Sequence, residues 1–367
     1  MTAGELWWSR IANSVRFLND VQAVLMNEGS VLMQFEEGIP WEEILLETLE
    51  QKLGYATDDR TFKQYDVSGE PDAGAFLKKK YIDTSPDNAY WPTTHGSPER
   101  YLAQDRTNTL NRRYVCLTGI RQAQAEMWRD SVTEYLRHCE NGQEHGVFIL
   151  LTEGSGSEKA ESSLNAEEDG KTAEELLNVF RYAEYANDYD CMMLCLTQIS
   201  ELKCSKAEKL YLSEVASSIA HNRAEHASML AAAEQKLLMD PVGTAREVFD
   251  SFGIKVTNLS KAVKAAVWEA QIKLVFPRVE NFRADLINQY KDRLKKRLPI
   301  YGCNKQKIYD VWDLEIGELF FVCKGNNAGG VVPTAEFELL RKMRDARNKL
   351  AHWDTLRYEE LKDLGVI

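Results

Sequence analysis

Three short apolar runs constrain this chain more than any other feature. They are Ser30–Phe35, residues 113–118 and residues 146–152. Each has strand length and is close to continuously apolar, as a strand buried on both faces must be. Helical patterns fill the intervals. Residues 5–26 place Leu6, Trp7, Ile11, Val15, Leu18 and Val21 on one side. Pro40 suits the first turn of a helix through Leu53, with Ile44, Leu45 and Leu49 at helical spacing. A weaker strand is expected at 61–67, a short helix from Pro71 to Tyr81, a long loop or insertion with one short helix over 83–112 and a helix over 121–138. Strand and helix therefore alternate over residues 1–152. That alternation predicts a layered α/β domain with a mainly parallel sheet.

After it the character changes. Residues 153–171 are rich in Gly, Ser and Glu and read as an acidic linker. Residues 172–252 look helical almost throughout, a connector or lid broken at Pro241-Val242-Gly243. Residues 253–367 contain a long helical pair pivoting at Phe276-Pro277, a helix over 308–323, a Gly-rich loop and a helix over 334–352 capped at its N-terminus by Thr334. Four or five helices imply an all-α bundle.

The last long helix ends in Arg347-Asn348-Lys349-Leu350-Ala351-His352. An Arg offers phosphate two parallel hydrogen bonds from a planar fork. A His titrates nearest neutrality and can give or take a proton. A base that activates a ribose 2′-hydroxyl and a cation that holds the phosphate charge suffice for metal-free RNA cleavage. On an ideal helix Arg347 and His352 stand roughly 140° apart, so a second surface must help close the site. The plain alternative is a cation favoured by the helix dipole and a His bonded to a free carbonyl.

Arg-Asn-x-x-x-His at a helix end resembles the motif of HEPN-domain ribonucleases. The sequel Leu356-Arg357-Tyr358-Glu359-Glu360-Leu361 is similar to the short helix that closes such domains. The resemblance implies that Arg347 binds the scissile phosphate, that His352 is the general acid/base and that Asn348 orients one of them. It also implies RNA as partner, a homodimer or a HEPN-like partner subunit, no cofactor and no metal, and a role of bacterial toxin or antiphage type. The competing expectation is a non-catalytic scaffold or adaptor in a multiprotein complex.

Charge divides the chain. Residues 1–252 carry 24 Lys and Arg against 42 Asp and Glu, whereas residues 253–367 carry 21 against 15. The acidic part is not expected to hold a polyanion by itself, whereas the basic part could. Its densest cluster, Lys291, Arg293, Lys295, Lys296 and Arg297, joins Lys349 as the candidate RNA-binding set. Asp313 and Glu315 are candidate partners for Arg347 or Lys349.

The N-terminal strands resemble the skeleton of an AAA-type or STAND-type P-loop domain. The first turn lacks the loop itself. A phosphate cradle needs glycines, free N–H groups and a Lys, and Glu36-Glu37-Gly38-Ile39-Pro40 follows the strand instead. The run 113–118 closes on Leu117-Thr118-Gly119, without a carboxylate for Mg²⁺. A degenerate domain without ATPase activity is expected. Seven scattered cysteines without a C-x-x-C suggest reduced thiols in the cytoplasm, and Cys191 with Cys195 reads as a pair of core thiols. The spacing of His221 and His226 does not suit zinc. No apolar run or leader pattern suggests a membrane. The tryptophans, Trp7, Trp8, Trp91, Trp128, Trp268, Trp312 and Trp353 among them, read as core or interface residues.

Overall fold

A computed structural model describes residues 1–54, 60–82, 90–140, 142–154, 176–221, 223–302, 305–324 and 330–367. They form two compact units, Met1–Asp190 and Cys191–Ile367. The acidic stretch expected at 153–171 lies almost wholly outside the described residues, as does Cys303.

In the first unit, α1 (Ala3–Arg10) and α2 (Ala12–Met26) precede β1 (Ser30–Phe35) and α3 (Glu42–Gly54). The single helix expected over 5–26 is two, because Ile11 turns extended at φ −74°, ψ 118°. Then come β2 (Thr61–Asp66), α4 (Ala73–Tyr81), α5 (Pro92–His95), α6 (Pro98–Gln104), β3 (Arg113–Arg121), α7 (Gln122–His138) and β4 (Val147–Glu153). A fifth strand, β5 (Leu177–Arg181), stands where helix was expected. It pairs with β1 in the register Ser30 to Leu177. All the pairings are parallel and the order is β2-β3-β4-β1-β5.

Alternation along the strands sends side chains to two cores. Val115, Leu117, Phe148 and Leu150 pack with Phe76, Leu77, Trp128 and Val132 from α4 and α7. On the other side Phe35 joins Trp8 and Phe17 of α1 and α2, with Tyr182 just beyond β5. The buried Ser14 hydroxyl meets the Tyr182 hydroxyl at 2.7 Å, so the aromatic core keeps its polar tip satisfied.

The second unit contains α8 (Asp188–Gln198, which starts just before the boundary), α9 (Lys206–Ala220), α10 (Ala224–Ala232), α11 (Gln235–Met239) and α12 (Pro241–Ser251). They are followed by α13 (Leu259–Lys295), α14 (Ile316–Cys323), α15 (Thr334–Ala351) and α16 (Tyr358–Asp363). The expected break falls at Asp240, between α11 and α12, and Pro241 opens α12, where its missing N–H costs nothing. The expected lid and bundle pack together: α9 lies on α13, and the buried Tyr211 hydroxyl of α9 accepts from Gln271 Nε2 at 2.9 Å. Pro277 sits inside α13 without breaking it, held between the buried Val275 and Val279. The departure from helical geometry comes at Tyr290, whose hydroxyl donates to Glu336 at 3.0 Å. The segment expected to be helical over 308–323 opens with strand and 3₁₀ geometry and becomes α-helix only at Ile316. Pro333, not Thr334, precedes α15, and Thr334 is its first residue. Among the described residues no helix is long and apolar enough to cross a membrane.

Gln271 is 1% exposed, and besides its bond to Tyr211 its amide fixes the chain after α15. Its Nε2 donates to Leu356 O at 2.8 Å, and its Oε1 accepts from Leu356 N at 2.7 Å. Gln271→Leu strips partners from a buried N–H, a buried carbonyl and the Tyr211 hydroxyl. Each orphan costs about 1–3 kcal/mol, so the variant is expected to lose several °C in melting temperature. A wild-type melting curve would refute this account of the turn.

Candidate functional site

Two places gather chemistry-bearing side chains. One belongs to each unit.

In the second unit, α13 and α15 run antiparallel. The start of α15 meets the end of α13, where Tyr290 bonds Glu336 and Arg293 donates to Val331 O at 3.3 Å. The end of α15 meets the start of α13, where Trp268 Nε1 donates to Leu350 O at 2.7 Å. Leu340, Met343, Ala346 and Leu350 form the buried stripe that seats the helix. The stripe's register leaves Arg347 half-exposed and Asn348 exposed, and His352, the residue that ends the helix, is exposed as well. Arg347 Nη1 donates to Asn348 Oδ1 at 3.3 Å, and Nη2 meets Glu315 Oε2 at 3.5 Å. Arg347 therefore faces solvent with one carboxylate beside it. Exposed pairs of this kind contribute little and exchange readily.

The candidate RNA-binding residues do not gather there. Lys349 pairs with Glu360 of α16 at 2.9 Å and serves the fold. Lys291, Arg293, Lys295, Lys296 and Arg297 are exposed at the far end of α13. From Trp268 to Arg293 the helix rises roughly 37 Å at 1.5 Å per residue. The structure thus places the basic cluster far along α13 from Arg347 and His352, while Lys349, the other candidate RNA-binding residue, lies beside them.

What lies beside the motif is aromatic. The rings of Trp268 and Trp353 stack at 4.0 Å with 7° between planes. Trp353 remains 62% exposed and adopts a left-handed φ of 59°. Trp91 and Trp312 are also exposed, whereas Trp7, Trp8 and Trp128 are core, so the tryptophans divide between two roles.

In the first unit, a cleft of about 680 Å³ opens at the carboxyl ends of the strands, where open parallel sheets bind ligands. Trp41, Glu42 and Glu43 at the start of α3 line it, with Asp66 at the end of β2, Thr118 to Arg121 of β3 and Glu153 of β4. The expected repelling carboxylates, Glu36 and Glu37, are exposed outside this lining; Glu42, Glu43, Asp66 and Glu153 take that part. Glu153 Oε1 accepts from the N–H of Ile39 at 3.4 Å, so a carboxylate already meets the turn that would cradle phosphate. Burial, reinforced by Glu153, Asp66 and Glu43, pushes the Glu42 carboxyl above its ordinary 4.5. The Ser68 backbone N–H holds Asp66 below its own ordinary value. Gly119 has φ +72°, and a Cβ there would meet Asp66 Oδ1 at 2.5 Å, which explains a glycine at that strand end.

Elsewhere, Cys191 and Cys195 are buried, and Cys195 Sγ donates to Ala227 O at 3.4 Å. Burial raises the Cys195 thiol. His226 packs its ring 4.2 Å from Phe252, and burial and Arg223 push its pKa down. Among the described residues no three His, Cys, Asp or Glu converge as a metal site would require. The chain matches no protein-family model and no curated protein.

The acidic cleft has a pH consequence. A carboxyl whose folded pKa exceeds its ordinary value binds its proton better in the folded state. The stability tied to that proton is present below pH 4.5 and lost as pH rises through the raised pKa. Glu42→Gln should therefore raise the melting temperature at pH 7, and the gain should shrink on acidification below 4.5. Thermal melts of both proteins at neutral and acidic pH test this. A gain independent of pH would show that charge is not its cause.

Proposed function

We propose that the C-terminal unit is a metal-independent RNA endonuclease of toxin or antiphage type, and that the α/β unit is a degenerate nucleotide-hydrolase-like regulator. The observation that carries the reading is that Arg347 is half-exposed and Asn348 and His352 exposed within about a turn and a half of the seated end of one helix. The short helix Tyr358–Asp363 after the motif supports the HEPN likeness. The parallel sheet, with its first βα turn over the cleft, supports the likeness to AAA- and STAND-type domains.

In the proposed reaction His352 takes the proton of a ribose 2′-hydroxyl, whose oxygen attacks the adjacent phosphorus. The P–O5′ bond breaks, the 5′-oxygen takes up a proton from water, a 2′,3′-cyclic phosphate remains, and the proton on His352 is then released to solvent. Arg347 holds the charge gathering on the phosphoryl oxygens through its fork. Asn348 already accepts from one arm of that fork and fixes its direction. One copy supplies a single exposed Arg–His set at this helix end, so a second copy or a HEPN-like partner completes the groove. In the α/β unit the acidic lining opposes a nucleotide's phosphates, and cytoplasmic residence would suit its reduced thiols. A scaffold would use the same fold for docking, and the Arg347–Glu315 pair favours that alternative.

His352→Ala should abolish RNA cleavage in the presence of a chelator while melting like wild type. Loss of a proton-transfer group is typically worth ~10²–10⁴ in rate. Arg347→Ala should fail similarly, and Arg347→Lys should recover little because an ammonium lacks the fork. Cleavage assays paired with melting curves decide the matter: folded His352→Ala protein that still cuts would refute the nuclease. Phosphate release from ATP by the full-length protein should stay at background, and turnover above it would overturn the account of the α/β cleft.

A further inference from the structure

The residue after the motif is held in an unusual way. Trp353 lies at φ 59°, in the left-handed region where a helix ordinarily ends on Gly or Asn. A bulky ring is disfavoured there. The Trp353 ring lies flat on Trp268, 4.0 Å away with 7° between planes, so one face is covered. It nevertheless remains 62% exposed, so the rest of the ring is open to solvent. Trp268 is itself fixed by its Nε1 bond to Leu350 O at 2.7 Å. The pair thus forms a rigid aromatic shelf at the end of α15, next in sequence to His352. Terminating the helix would be served better by Gly, and joining α13 to α15 is already served by Trp268. The open face of Trp353 is left unexplained by both.

Taking its substrate class from the nuclease reading, we propose that Trp353 is a stacking platform for the base of an unpaired nucleotide beside the scissile bond. An aromatic face recognises any base in single-stranded RNA, whereas bases inside a duplex already stack on one another. The shelf compensates for the distance of the basic cluster: at the motif end, ring stacking supplies what a dense set of cations would otherwise provide. Lys264, paired with Asp354 at 3.6 Å, adds one cation at this end. The substrate is therefore single-stranded RNA, held at the cut by one stacked base and by Arg347 on the phosphate.

The test uses the full-length chain, a chelator, and fluorescein-labelled oligouridylate and oligoadenylate. Stacking one base on an aromatic ring is worth roughly 5- to 150-fold in affinity. Trp353→Ala and Trp353→Gly should weaken binding by about tenfold within that range, and Trp353→Phe should keep most of it. The salt dependence of binding should stay unchanged, because no charge is removed. Glycine relieves the left-handed strain, so a folded variant is available whatever alanine does. Wild-type affinity in folded Trp353→Gly, or no binding of either RNA by wild type, overturns the platform. The two readings fail differently. RNA bound through Trp353 but never cut refutes the nuclease and keeps the platform. RNA cut by Trp353→Gly with an unchanged KM refutes the platform and keeps the nuclease.

Discussion

The arrangement of the C-terminal unit depends on how the start of α13 grips the end of α15. Trp268 satisfies the carbonyl of Leu350, and Gln271 brackets both backbone groups of Leu356. Helix ends leave backbone groups without partners, and burying such an end demands substitutes. Here two side chains one turn apart on α13 supply them. The grip fixes where Arg347, Asn348 and His352 stand, and with the contacts of Tyr290 and Arg293 at the other end it holds α13 and α15 antiparallel. Antiparallel packing then dictates the rest. Whatever lies at the end of α13 must lie far from the end of α15, which is why the basic cluster at 291–297 is remote from the motif.

A comparable constraint rules the α/β unit. Strands buried on both faces need helices on both sides, and the crossovers that provide them deliver loops to the carboxyl ends of the strands. A cleft there follows from topology. Its chemistry does not, and here it is acidic. Glu42 and Glu43 occupy the first turn of α3, where the helix dipole favours negative charge. Glu153 reaches the N–H of Ile39. The positions that welcome phosphate in a nucleotide site are filled by the protein's own carboxylates, and their crowding is felt in the raised Glu42.

The sequence revealed these features unevenly, for physical reasons. β1, β3 and β4 were legible because central parallel strands must be apolar throughout. β5 was not, because at the sheet edge it buries Leu177 and leaves Val179 39% exposed, and Leu177 with Phe180 at i, i+3 imitates a helix. The break at Ile11 has no Pro or Gly to announce it. Pro277 announced a pivot, yet it lies within helix between the buried Val275 and Val279, while the departure comes at Tyr290, whose hydroxyl bonds Glu336 from another element. At the candidate site, the order Arg347, Asn348, His352 was visible as a string of residue types. Its separation from Lys291 to Arg297 was not, because linear charge density says nothing about which end of a helix meets which. The partner of Arg347 was half-visible: Glu315 was one of two acidic candidates, and only the fold chose it.

That separation bears on how the proposed nuclease would engage RNA. A cation cluster roughly 37 Å along a helix from the motif cannot neutralise the phosphate being cut, so it cannot contribute to the transition state. It can act only on binding, through counterion release by a longer strand. Within one copy the proposed chemistry then rests on Arg347 and His352, with Asn348 directing the fork, and local capture is helped by the Trp268–Trp353 stack. A site with few charges of its own discriminates by base accessibility rather than by charge. It would favour loops and open strands over duplexes, because only there can a base leave its neighbours and meet the ring.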